Sequence, residues 1–179
     1  MRVAIGFAGP ASGGTREWSD TVEFVLEAER LGVDSAWSAE AWGRDAVSPL
    51  AFLAARTTQL RLGSGILQIS ARVPAMTAMT ALTLAELSGG RFLLGLGASG
   101  PQVVEGLHGV PFAHALGRLR ETIEIVRLAC RGERIEFHGR HFELPRPGGE
   151  GKALRLAVPP ARIPIYLATL APKSHELTG

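Results

Sequence analysis

The residues best suited to do chemistry sit where an apolar run ends. Arg91-Phe92-Leu93-Leu94 leads into Gly95-Leu96-Gly97-Ala98-Ser99-Gly100-Pro101-Gln102, so a strand feeds a glycine-dense loop. Glycine lets the backbone reach positive φ and approach a ligand without an intervening Cβ, and successive free N–H groups in such a loop can hold a phosphate or another anion. The pattern predicts a phosphorylated small molecule as ligand. The spacing also satisfies G-x-G-x-x-G, but a dinucleotide-binding turn opens a helix in the first βα unit and is followed roughly 20 residues later by an acid on the ribose. Here Pro101 follows at once, Gly109-Val110-Pro111 makes a second turn, and the later positions include Arg118 and Arg120. The loop belongs to another α/β architecture.

The elements that must hold this loop follow from hydrophobic periodicity. Residues 3–8 form a short apolar run closed by Gly9-Pro10, with Ser12-Gly13-Gly14 as loop, and read as a buried strand. From Arg16 the period changes: Trp18, Val22, Val25 and Leu26 share one side of a helix, Glu23, Glu27 and Arg30 the other, and Leu31-Gly32 supplies the stop. Residues 33–38 read as a second strand, 49–58 as a second helix and 60–69 as one third strand containing two glycines. Pro74 opens a third helix whose Ala75, Ala78, Ala81 and Ala85 allow close approach to a sheet, and Ser88-Gly89-Gly90 ends it. Residues 92–97 are the fourth strand. Leu116, Leu119, Ile123, Val126 and Cys130 then keep helical spacing. Repeated βα units argue for a parallel sheet. Beyond Gly132 the rhythm breaks: residues 134–144 alternate in period two around His138-Gly139, a β-hairpin, and 145–164 read as a long surface loop before a fifth strand at 163–168. The chain reads as one domain over 1–179 with a hairpin and loop insertion at 133–162.

In such a sheet, ligands lie at the carboxyl ends of the strands. Those ends are Phe7-Ala8-Gly9, Ser38-Ala39-Glu40, Gly65-Ile66-Leu67-Gln68, Gly97-Ala98-Ser99-Gly100 and Ala168-Thr169. Glu40, directly after a buried strand, is the candidate proton-transfer group or ligand anchor, the structural alternative being a cap or salt bridge in its loop. Gln68 is a candidate for contact with a ring or carbonyl, and Ser99 for a phosphate or carbonyl; ordinary loop hydrogen bonding is the alternative for both. His108, His114, His138 and His141 find no carboxylate or cysteine at ligand spacing, so no metal site is expected. Lys173 and His175 could meet an anion or simply end a solvated helix. Cys130 ends an apolar stripe and reads as a packing residue.

Bulk properties narrow the classes. With 46% hydrophobic and 20% charged residues, the 179-residue chain has the composition of a globular domain with a sizeable core. A net charge of +2 and scattered Lys and Arg without interleaved aromatics argue against nucleic acid. One cysteine precludes an internal disulfide and suits a reducing compartment, so the cytoplasm is expected. Neither a signal peptide nor an apolar run of the ~20 residues that span a bilayer is present, and no membrane association is expected.

Four stretches carry a family resemblance: Ala36-Trp37-Ser38-Ala39-Glu40; Leu62-Gly63-Ser64-Gly65-Ile66 with Arg72-Val73-Pro74 after it; Leu87-Ser88-Gly89-Gly90 running into the fourth strand; and Ser99-Gly100-Pro101-Gln102-Val103-Val104-Glu105-Gly106. In order and spacing the chain resembles the amino-terminal half of the bacterial luciferase-like flavin superfamily, close to its coenzyme F420-dependent oxidoreductases. The resemblance implies a TIM-type (β/α)8 barrel, of which about five βα units are present, with the hairpin as a family insertion. It implies hydride transfer between a deazaflavin and a small organic substrate. The cofactor would lie at the strand exits, its phosphate tail near Gly97, Ala98, Ser99, Gly100 and Gln102, with Gln68 and Thr169 beside it. A bulge after strand three, with a non-prolyl cis peptide at Gly65-Ile66, would back the ring. Glu40 matches an acidic position of sugar-phosphate-oxidising relatives, but the next residue, histidine in those relatives, is Ala41. A barrel of this type closes on eight strands, so a truncated member, or one completed by a homo-oligomer or a complementing chain, is expected. The alternatives are an FMN-dependent monooxygenase, a non-catalytic half-barrel binding or assembly protein, and a flavin-free sugar-phosphate barrel enzyme.

Overall fold

The computed structural model describes residues 1–9, 17–169 and 176–178. The expected loop at Ser12-Gly13-Gly14, the helix start at Arg16, and Lys173 and His175 lie outside them. Six strands form one parallel sheet: β1 (Ala4–Phe7), β2 (Ser35–Ser38), β3 (Arg61–Ser64), β4 (Leu67–Gln68), β5 (Phe92–Gly97) and β8 (Ile165–Leu167). β2 lies between β1 and β3, while β5 takes β3 and β4 on one edge and β8 on the other. Among the described residues β1 pairs only with β2, and β8 only with β5, so the sheet is an unclosed arc.

The first helices follow their sequence signals. In α1 (Trp18–Arg30) a capping box ties the Glu17 N–H to Asp20, Val22, Val25 and Ala28 are buried, and Gly32 leaves the helix at φ 78°. The second helix, α2 (Val47–Ala54), starts earlier than expected because Asp45 Oδ1 accepts the Ser48 N–H at 2.7 Å. It also stops earlier: the next amides, of Thr58, Gln59 and Leu60, all donate to Glu29 Oε1 at 2.6–2.8 Å. In α3 (Pro74–Leu87), proline occupies the first turn, and buried Ala78, Ala81 and Ala85 bring the helix close to its neighbours. A one-turn α4 (Pro101–Val104) interrupts the expected long glycine loop. The last helix, α5 (Ala115–Cys130), buries Leu119, Ile123 and Val126 against the core.

Strand alternation gives the sheet two unlike faces. Ala36, Leu62, Phe92, Leu94 and Leu96 are buried beneath the helices. On the concave face, register sets Gly6 beside Trp37, Trp37 beside Gly63, Gly63 beside Leu93 and Gly95 beside Tyr166. The glycines make room for the rings. A Cβ on Gly63 would stand 2.3 Å from the Trp37 ring, which meets Tyr166 edge-on at 5.1 Å between centroids.

Two expectations need correction. The third strand, which periodicity reads as continuous over 60–69, is broken at the bulge that the resemblance implies. β3 leaves the β5 ladder at Gly63↔Leu93 and β4 rejoins it at Leu67↔Leu96, so four residue steps on one strand (63 to 67) oppose three on the other (93 to 96). This is a bulge. The Ser64 hydroxyl fills the gap by donating to Gly95 O at 3.0 Å and accepting from Gly95 N–H at 2.9 Å. The hairpin, β6 (Phe137–His138) with β7 (Glu143–Leu144), turns through residues 139–142 instead of His138-Gly139, because Glu121 of α5 accepts the amides of Arg140, His141 and Phe142 at 2.8–2.9 Å. Residues 134 and 135 leave the hairpin to pair with 154 and 155.

Candidate functional site

At the carboxyl ends of β2, β4 and β5 the chain assembles a braced, glycine-lined shelf. Its brace is Glu40, whose side chain is 7% exposed. Oε1 accepts the Gln68 N–H at 2.9 Å and the Arg72 guanidinium, and Oε2 accepts the Ala46 N–H at 3.3 Å. One carboxylate thus ties together the loop after β2, the bulged strand and the loop entering α3. Three donors on an ion-paired carboxylate are the bonding of a charged anchor. Arg72, which sequence reasoning did not single out as functional, is the other half of that anchor.

The bulge lies beside it. The peptide between Gly65 and Ile66 is cis, at the position the resemblance implies. Gly65 is exposed and Ile66 half-buried, and the Ile66 side chain lies over the bare backbone of β5. A Cβ on Gly95 would fall 1.9 Å from Ser64 O, and one on Gly97 would meet Ile66 and the Ala168 Cβ at 3.0 and 3.3 Å. Gly95 therefore needs glycine, and a side chain at Gly97 would press on Ile66 and Ala168. Gln68 is 2% exposed; its Nε2 donates to Ala41 O at 3.1 Å, while its Oε1 is buried without a partner. A buried unpaired acceptor is costly unless a ligand donor completes it.

The glycine loop turns where its composition requires. Ser99 adopts left-handed backbone with φ 61°, Gly100 is extended and begins α4, and the amides of Val103 and Val104 return to Gly100 O. Ala98 and Gly100 are half-buried, Ser99 and Gln102 exposed. The structure therefore gathers Glu40, Gly65, Ile66, Gln68 and Gly97 into one region, with Ala98, Ser99, Gly100 and Gln102 continuing from its β5 exit. Thr169 stands apart from this bonding: its hydroxyl lies 3.4 Å from that of Thr178. Sequence reasoning also missed Ser64 as a ladder substitute and the meeting of Trp37 with Tyr166. Both depend on strand register, which no single segment reveals.

His138 belongs elsewhere, on the exposed hairpin, where Nδ1 lies 2.5 Å from Glu143 Oε1 and that bond raises its pKa. Among the described residues no group of three or more His, Cys, Asp or Glu side chains could hold a metal ion.

Residues 2–179 match the model of the luciferase-like monooxygenase family. Over 164 residues the chain is 48% identical to a Mycobacterium tuberculosis protein, Rv3520c, named provisionally as a coenzyme F420-dependent oxidoreductase; the match covers 88% of this chain and 47% of that one. It is 32% identical over 157 residues to a 5,10-methylenetetrahydromethanopterin reductase of Archaeoglobus fulgidus, covering 87% and 45%. The fold matches the coenzyme F420-dependent tetrahydromethanopterin reductase of Methanopyrus kandleri with a TM-score of 0.79 at 21% identity, over 97% of this chain and 51% of the other. The chain spans about half the length of the curated relatives it matches. With its parallel βα succession and with the family model matched from residue 2 to residue 179, the chain belongs to the luciferase-like monooxygenase family.

Proposed function

We propose that this chain forms the amino-terminal part of a coenzyme F420-dependent oxidoreductase, which moves a hydride between the deazaflavin and a small organic substrate. The reading is carried by the 48% identity, over 88% of the chain, to a relative provisionally named for that activity. One observation at the shelf fits the cofactor: Gln68 Oε1 is buried at the strand exit without a partner.

When bound, the deazaflavin supplies the ring that accepts or donates the hydride. The protein's part is geometry. Gly65, Ile66 and Gly97 would form the surface that holds the ring, and Gln68 Oε1, buried without a partner, would be available to accept a hydrogen bond from it. The loop of Ala98, Ser99, Gly100 and Gln102 receives the phosphate tail, with Thr169 at the neighbouring strand exit. Glu40 acts as a positioning residue. Its ion pair with Arg72 and its bond to the Gln68 N–H hold the bulge in register, the salt-bridge alternative to a proton-transfer group or ligand anchor. Three further βα units, from a continuing chain or a partner, complete the ring and the substrate wall. A cytoplasmic location accords with the single cysteine and with the absence, among the described residues, of a helix long and apolar enough to cross a membrane.

The test is a pair of titrations, with F420 and with FMN, followed through each cofactor's own absorbance. They use the chain alone and the chain mixed with the carboxyl-terminal half of the Mycobacterium relative. Saturable F420 binding, strengthened by the added half, is expected. Saturable FMN binding without F420 binding overturns the proposal.

A further inference from the structure

Next to the shelf, at the exits of β1 and β2, lies a second recess of about 250 Å3 that none of the cofactor contacts uses. Its walls are Ala8, Ala39, Ala41, Pro49 and the indole of Trp42, which is 80% exposed. An indole so far in water at the mouth of a cavity is an available stacking surface, not core. The polar side chains of the recess, Ser38, Arg44 and Asp45, are few beside this apolar surface, and hydroxyl groups set against the alanines, the proline and the indole face would lose water without replacing it.

One cation stands over this apolar wall. The Arg44 guanidinium lies 5.5 Å from the Trp18 ring centroid, with Gly9 beneath both: a Cβ there would stand 2.6 Å from the indole and 3.0 Å from Arg44 Nε. This cation–π contact holds the charge beside the ring and leaves guanidinium N–H groups available. Arg44 has no carboxylate partner among the described residues. The neighbouring acid, Asp45, lines the same recess but spends Oδ1 on the Ser48 N–H that starts α2. A planar, pre-set cation above an apolar slot complements a planar anion on an apolar body, and a carboxylate matches a guanidinium fork two bonds to two. With one cation, Arg44, and one carboxylate, Asp45, in its lining, the recess suits a singly charged carboxylate better than a phosphate dianion.

We infer that Arg44 and Trp42 form the substrate subsite, and that the substrate is a small carboxylic acid with an apolar or aromatic body, not a phosphorylated sugar. This rests on the reading of the neighbouring shelf as the cofactor site only in calling the ligand a substrate; the recess and its cation stand independently.

The test uses the full chain and calorimetric titration with benzoate, its neutral isostere benzamide, and glucose 6-phosphate. Benzoate is expected to bind saturably and at least tenfold more tightly than either of the others. Arg44→Gln, an exposed-loop change whose fold is checked by circular dichroism, should abolish the preference over benzamide. Trp42→Ala should weaken benzoate and benzamide alike. Equal binding of benzoate and benzamide, a preference that survives Arg44→Gln, or no benzoate binding overturns the inference. A parallel F420 titration separates the two claims. F420 binding without a benzoate preference leaves the cofactor reading standing and this one refuted, and a benzoate preference without F420 binding does the reverse.

Discussion

Replacing Glu40 by glutamine tests whether this residue holds the site together. The change keeps size and shape but removes the charge from a side chain 7% exposed, whose partner Arg72 is 18% exposed. Removing one partner of a buried ion pair costs roughly 3–5 kcal/mol, because the remaining charge stays desolvated. Arg72 retains some access to water, which puts the expectation at the lower end. A glutamine oxygen can still accept from the Gln68 N–H, but its amide then sets a donor against the Ala46 N–H, which Oε2 now accepts. The net expectation is a loss of ~2–3 kcal/mol, and at ~2–4 °C per kcal/mol for a chain of this size the midpoint falls by about 5–10 °C. Urea unfolding followed by circular dichroism measures the loss. Arg72→Met and the double variant complete a cycle, in which the two changes together should cost less than their sum by ~1–3 kcal/mol. A Glu40→Gln chain within ~0.5 kcal/mol of the parent, or strictly additive changes, would refute the brace.

Other perturbations bear on separate parts of the account. Ser64→Ala removes both hydrogen bonds to Gly95 at the bulge and should cost ~2–4 kcal/mol in the same urea assay, since buried backbone groups lose their partner. Gly63→Ala, whose Cβ would stand 2.3 Å from the Trp37 ring, should lower stability by ~1–3 kcal/mol and shift tryptophan emission as the ring moves; unchanged emission contradicts the packing. Burial tends to raise the Glu29 carboxyl, but the amides of Gln59, Leu60 and Thr58 overcome it and hold its pKa below the usual glutamate value. A carboxylate depressed on folding contributes stability that is present above its unfolded pKa and lost as pH falls through the folded one. Unfolding midpoints should therefore drop more steeply below about pH 4.5 in the parent than in Glu29→Gln, and parallel acid profiles would exclude the contribution. Burial also pushes the Cys130 thiol up, with Arg131 opposing, so its reaction with a disulfide reagent should be slow at neutral pH and accelerate well above it.

Much of the architecture was legible because one βα unit needs little outside itself. Pro74 before an alanine-rich helical period, and glycine pairs after it, predict α3 to within a residue or two. The break in the third strand is legible only through the family resemblance, not through periodicity. Residues 60–69 read as one apolar run, and the break depends on a Ser64 hydroxyl bonding to Gly95, a residue of another strand. The hairpin tip differs from the His138-Gly139 turn that its period-two pattern predicts for a related reason, since the carboxylate that shapes it belongs to Glu121 on α5. At the site, strand ends pointed to Glu40, Gln68 and the glycine loop, while the partner that gives Glu40 its role, Arg72, shows only in three dimensions.

The central claim is that the bulge after β3 and the loop after β5 together receive a deazaflavin. Hydrogen exchange of the completed barrel, this chain with the carboxyl-terminal half of the Mycobacterium relative, measured with and without F420, tests it most directly. The account predicts slowed exchange at the amides of residues 65–69, 98–100 and 102 on adding F420, with the hairpin at 137–144 unchanged. Protection confined to the hairpin, or none at either strand exit under saturating F420, would contradict it.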